Sequence, residues 1–143
     1  MYQRILVALD HTPADESLLP HVQALARRFE AELILLHVAD GWVARHFASS
    51  LQPAESEEMK SDRDYLETTA AGLAAAGLKV RAHLALGNPP AEILRAAERE
   101  QCDLIAMTTH GHRLLGDLFY GSTIETVRHR SHIPIFVVRA ERR

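Results

Sequence analysis

Short, nearly uninterrupted aliphatic runs, separated by longer helix-patterned segments, constrain this chain more than any other feature. Arg4 to Leu9 and Glu32 to Val38 are mostly Ile, Leu and Val without polar alternation, as in strands covered on both faces. Lys79 to Leu86 instead alternates Val80, Ala82 and Leu84 with Arg81 and His83, so an edge strand is predicted there. Leu104 to Met107 and Ile133 to Arg139 complete the set. Ile5, Val7, Leu33, Leu35, Ile105, Ile135 and Val137 are the expected core of the sheet.

The intervening segments read as helices. Thr12 to Phe29 has Thr12 as its cap, Pro13 at the first position, and Asp15 and Glu16 at the positive end of the dipole. Pro20 should bend this helix on its solvent side. Ala54 to Ala76 is acidic at its start and ends at Gly77, a predicted C-cap. Pro90 to Arg99 and Ser122 to Arg130 supply two more helices, whereas Gly41 to Pro53 lacks clean periodicity and has no readable function.

The order βαβαβαβαβ implies an α/β fold, a five-stranded parallel sheet with right-handed crossovers and helices on both faces. With 143 residues and no internal repeat, one domain over residues 1–143 is expected. In such open sheets ligands sit beyond the carboxyl ends of the strands. Asp10, Val38 to Asp40, Gly87 and Thr108 to Gly111 all fall on that edge.

Charge and cysteine usage narrow the partners. A formal net charge of -3 argues against nonspecific attraction to nucleic acid or acidic membranes. Cys102 is the only cysteine, which excludes an intramolecular disulfide and suits a reducing compartment. No apolar run approaches the ~20 residues of a membrane span, and MYQRILVALD is too short a run for a secretory signal. A cytoplasmic protein without membrane insertion or a nucleic-acid partner is expected.

The run from Met107 to Ser122 carries the chemistry. Nine residues separate Gly111 from a Gly121-Ser122 pair that opens a helix, and the whole follows a strand. Glycines let backbone N–H groups approach an anion closely, and a helix N-terminus presents unsatisfied donors and a positive dipole end. Ser122 and Glu125 also form a capping-box pattern, which is structural by itself. Thr109-His110-Gly111-His112 matches the Thr/His-x-Gly-His pattern of nucleotidyltransferases, but that motif belongs after a first strand, and this copy follows the fourth. His110 with His112 and His129 with His132 lack a carboxylate or cysteine at a metal-ligand spacing. Ser17, Ser49, Ser50 and Ser61 have no glycine-rich elbow, and Cys102 is expected to pack at the start of a strand. No catalytic residue and no metal ligand is assigned.

Asp10 at the end of VALD, the LLHV strand, the Gly87-x-Pro89 turn before AEIL, the THG loop, Gly121-Ser122 and the closing IPIFVVR strand together resemble the universal stress protein family from end to end. That resemblance implies a Rossmann-like, adenine nucleotide alpha hydrolase-like fold and a regulatory or protective role in stress response. In the family's ATP-binding branch, Asp10 and Val38 would lie near the adenosine, and Gly111, Gly121 and Ser122 near the phosphates. His11, Thr12, Met107, Thr108, Thr109, His110, His112 and Thr123 flank those positions and join the expected ATP site, with Mg2+ accompanying the nucleotide. Thr108 departs from the Gly-x2-Gly-x9-Gly-Ser/Thr signature by replacing its first glycine. Its hydroxyl is available to a ribose or phosphate oxygen, or it simply ends a strand. Two other readings stand beside ATP binding: a nucleotide-independent dimeric interaction module, and a slow ATP hydrolase. A homodimer through strand 133–139 is expected, because an exposed apolar edge needs cover and the family resemblance implies antiparallel pairing of last strands.

Overall fold

A computed structural model describes residues 1–40, 57–109 and 123–141. Its elements are β1 (Arg4–Ala8), α1 (Asp15–Phe29), β2 (Glu32–Asp40), α2 (Glu57–Ala75), β3 (Lys79–Gly87), α3 (Pro89–Arg99), β4 (Leu104–Thr109), α4 (residues 123–130) and β5 (Ile135–Arg139). The five strands lie in the order β3-β2-β1-β4-β5 and all pair in parallel. The chain thus builds outward from β1 to β3, then returns to the other side of β1 for β4 and β5. That reversal opens a crevice between β1 and β4, where such sheets take their ligands.

Both faces of the sheet are covered, which explains the unbroken aliphatic runs. Ile5, Val7, Leu33 and Leu35 pack with Leu18 and Val22 of α1 and Leu66 and Leu73 of α2. Leu6, Ile34, Leu36 and Ile105 pack with Ile93 of α3 and Val127 of α4. β3 is an edge strand, half-buried as its alternation predicts. β5 is the opposite edge, and here the expected core needs correction: Ile135 is only partly buried and Val137 is 42% exposed. Among the described residues no strand lies on one side of β5, so its side chains lack the cover that a central position would supply.

Helix ends show where local chemistry succeeded. Gly77 has φ +92°, with its N–H donating to Ala74 O at 3.0 Å and Leu78 N–H donating to Leu73 O at 3.2 Å. This left-handed C-terminal cap satisfies carbonyls that the helix leaves open. Asn88 caps α3 by accepting from Ala91 N–H at 3.1 Å, and both Pro89 and Pro90 fit the first turn. Thr12 does not cap α1 as expected: the helix begins at Asp15, and the Thr12 hydroxyl accepts only from Ala14 N–H at 3.3 Å. Residues 11–14 form a turn instead, because the Asp15 side chain is drawn inward and backward. Pro20 lies within α1 at an exposed position, where the helix runs through it.

Candidate functional site

The carboxyl ends of β1, β2 and β4 surround a shallow, partly open groove. Ala8, Leu9 and Asp10 line it from β1, Leu36, His37 and Val38 from β2, and Met107 and Thr108 from β4. Pro89 and Ile93 of α3 and Thr123 at the described start of α4 complete the wall. Its position follows from topology, since β1 is the strand on either side of which the crossovers diverge. Leu36, Val38, Ile93 and Met107 give apolar walls, and Asp10, Thr108 and Thr123 add polar groups.

Asp10 is held from two directions. Its N–H donates to Asp15 Oδ1 at 2.9 Å, and its Oδ2 accepts from the Thr108 hydroxyl at 3.3 Å. Thr108 is 4% exposed, so the side chain that replaces the family glycine is packed into the β1/β4 crevice. Its hydroxyl is spent on Asp10. His11 follows in the left-handed region with φ 59°, and its N–H donates to Asp15 Oδ2 at 2.9 Å.

Asp15 is the hidden centre of this loop. Only 1% exposed, it accepts from Asp10 N–H, His11 N–H and the Tyr65 hydroxyl, the last at 2.6 Å. A buried carboxylate is tolerated because these donors satisfy it. Burial, and next the hydrogen bond and charge of Asp15, push the Tyr65 hydroxyl well above the ordinary tyrosine value. The Tyr65 ring stacks on His11 with centroids 4.2 Å apart. His11 Nδ1 lies 2.7 Å from Asp62 Oδ1, and His37 Nε2 lies 3.4 Å from the same oxygen. These contacts fasten α2 to the loop that carries Asp10.

Of the residues singled out by sequence, Asp10, Val38, Met107, Thr108 and Thr123 converge on the groove. His11 turns toward α2, Thr12 serves the turn, and Thr109 ends β4, its carbonyl accepting from Ala140 N–H at 3.3 Å. His110, Gly111, His112, Gly121 and Ser122 lie outside the described residues, as does the stretch 41–56. Ser122 of the capping box is among them, while its partner Glu125 takes Arg128 at 2.7 Å and His129 at 3.1 Å. Among the described residues no group of three His, Cys, Asp or Glu side chains is placed to hold a metal ion. Cys102 is buried, and burial first, then the nearby Glu100 and Asp103 carboxylates, push its thiol up to about 11.

Asp15, His37, Asp62 and Tyr65 escaped the sequence reading. Asp15 looked like a favourable charge at a helix start, His37 like part of a strand, and Asp62 and Tyr65 like ordinary helix residues. Only their spacing on α2, three apart and so on neighbouring positions of one face, hinted that Asp62 and Tyr65 act together.

The sequence pattern of the Universal stress protein family matches residues 1–139. Universal stress protein MJ0577 of Methanocaldococcus jannaschii is 30% identical over 97% of this chain and 96% of its own length. A universal stress protein of Methanothermobacter thermautotrophicus is 32% identical over 97% of both chains. The solved structure of MJ0577 aligns with a TM-score of 0.81 and 31% identity, covering 100% of this chain and 99% of that one. Two more distant structures share the fold, each with a TM-score of 0.69. One is a universal stress protein in complex with cAMP, at 20% identity over 98% of each chain. The other is the Archaeoglobus fulgidus universal stress protein in complex with dAMP, at 17% identity over 96% of this chain and 98% of that one. The parallel sheet, its strand order and its switch-point groove are those of the adenine nucleotide alpha hydrolase-like fold. On sequence and architecture together, the chain belongs to the universal stress protein family.

Proposed function

We propose that this chain binds an adenine nucleotide in the switch-point groove, ATP with Mg2+ in the full form of the reading, and acts as a cytoplasmic regulatory or protective factor in stress response. The observation that carries the reading is the convergence of Asp10, Val38, Met107, Thr108 and Thr123 on one apolar slot between β1, β2 and β4. Asp10 presents a carboxylate whose backbone is fixed by Asp15, so it can accept from a ribose hydroxyl or an exocyclic amine without reorganising. Related proteins solved with cAMP and dAMP support an adenine ligand. His110, Gly111, His112, Gly121 and Ser122 would serve the phosphates by the family pattern, with Mg2+ shared among the phosphate oxygens.

Thr108 favours a second reading. It puts buried bulk where the family signature has a glycine, which suits a chain that keeps the scaffold and works as a nucleotide-independent dimer. Slow ATP hydrolysis is a further variant, tested by phosphate release. The deciding experiment is mass spectrometry of small molecules released from freshly purified protein, followed by calorimetric titration with Mg-ATP, AMP and adenosine. Binding should raise stability by about 2.7 kcal/mol at a hundredfold excess over the dissociation constant, with a smaller response to AMP and almost none to Mg-ATP in Gly121→Val. No released nucleotide and no heat at millimolar ligand would reject nucleotide binding and leave the dimeric module.

A further inference from the structure

Thr108 stands near the carboxyl end of β4, where it pairs with Val138 of β5, and it is buried. Its side chain reaches across the switch point, and the hydroxyl donates to Asp10 Oδ2 at 3.3 Å. A strand end that needed only branched bulk would be served as well by valine. What threonine adds is a hydroxyl proton, and Asp10 receives it. Asp10 itself is half-buried at the rim of the groove, with its N–H and the N–H of His11 both donating to Asp15 at 2.9 Å. Backbone and carboxylate are therefore anchored separately, the first to α1 and the second to β4.

We propose that Thr108 is a positioning residue for ligand recognition: by tethering Oδ2 it fixes the Asp10 carboxylate as an acceptor at the groove, and so selects a nucleoside that donates a hydrogen bond there. The proposal deepens the adenine-nucleotide reading and rests on it for the kind of ligand. An ionised carboxylate offers acceptors only. In a groove also lined by Leu36, Val38, Ile93 and Met107, a ligand that set a carbonyl or a C–H against Asp10 would strip water from the carboxylate and return no bond. An exocyclic amine or a ribose hydroxyl replaces what the water supplied. Holding the carboxylate in place before the ligand arrives lowers the ordering cost of that bond. Thr108 acts through Asp10, so the residue that departs from the family signature serves the nucleoside end of the site.

Calorimetric titration of the full chain with adenosine, inosine, 2′-deoxyadenosine and 3′-deoxyadenosine tests the selection. The nucleoside lacking the donor that meets Asp10 should bind about tenfold more weakly than adenosine: inosine if that donor is the amine, a deoxyadenosine if it is a ribose hydroxyl. Thr108→Val, which keeps the branching, should weaken adenosine about fivefold and narrow that ratio, and Thr108→Ser, which keeps the hydroxyl, should restore both. In an Asp10→Ala background the valine change should alter affinity by less than about twofold, because its route to the ligand is gone; an undiminished loss there would mean packing, and would overturn the proposal. Equal affinity for all these nucleosides would overturn the selection. Three-bond couplings in the ligand-free protein report the Asp10 side-chain rotamer, which should be single in the parent and in Thr108→Ser and averaged in Thr108→Val. A rotamer equally fixed in Thr108→Val would overturn the tether. If neither adenosine nor Mg-ATP gives heat, the nucleotide reading falls, while the couplings still decide whether Thr108 positions Asp10.

Discussion

A single buried carboxylate organises the loop after β1. Asp15 takes three donors, two of them backbone amides of the residues that border the groove. Asp15→Ala should cost about 2–4 kcal/mol, because it strands those donors in a buried setting. Tyr65→Phe removes one bond and should cost about 1 kcal/mol. Urea unfolding of both variants checks the ranking; equal losses would mean that the amides find other partners. Cys102 permits a pH test. Its folded value of about 11 lies above the ordinary 9.0, so the contribution is complete below pH 9 and is lost as pH rises toward 11. Cys102→Ala should therefore unfold less steeply with alkali than the parent across that interval. The native thiol should also resist alkylation near neutral pH and react only after unfolding.

At the scale of helices and strands, the described residues include three helix C-terminal positions in the left-handed conformation, Glu30, Gly77 and Gln101, of which one is glycine. Gly77 has no heavy atom within 4 Å of a would-be Cβ, so Gly77→Ala carries no clash and should cost about 1 kcal/mol of backbone strain alone. Glu30 and Gln101 sit at φ 55° and 53°, where their helices close through Ala31 N–H to Ala26 O and Cys102 N–H to Ala97 O. Replacing either with glycine relieves strain but enlarges unfolded-state freedom, for a net gain of at most about 1 kcal/mol. Thermal denaturation should order the three variants with the Gly77 change lowest. In the sheet, Ile105→Ala removes a fully buried side chain between β1 and β5 and should cost about 2–5 kcal/mol.

For the whole molecule, the open question is what covers β5. Val137 is 42% exposed on a strand that, among the described residues, pairs only with β4. Edge strands left apolar are a hazard that proteins relieve by pairing, and the proposed two-fold pairing of β5 strands would supply the cover. Light scattering should then give twice the chain mass, and Val137→Lys should shift the equilibrium toward monomer without lowering helix content. A parent that stays monomeric at high concentration would remove the dimer.

Alternation of aliphatic runs with helical periods was enough to specify the parallel α/β fold. It also indicated the edge position of β3 and the sheet edge that bears the groove, because burial on two faces leaves a mark in every residue of a strand. Gly77 was legible for a similar reason: a cap is settled within one turn of chain. Val137 was not, since its run is as aliphatic as those of the central strands and only strand order makes it an edge. Asp15, Asp62 and His37 were invisible because each has an adequate local role, as helix charge, surface carboxylate or strand residue. Their joint role exists only when β1, β2 and α2 meet, bringing together residues 50 or so positions apart in sequence. Thr108 shows both limits at once. Sequence identified the missing glycine, but only the packed crevice between β1 and β4 turned its hydroxyl to Asp10, because that carboxylate is the acceptor it meets there.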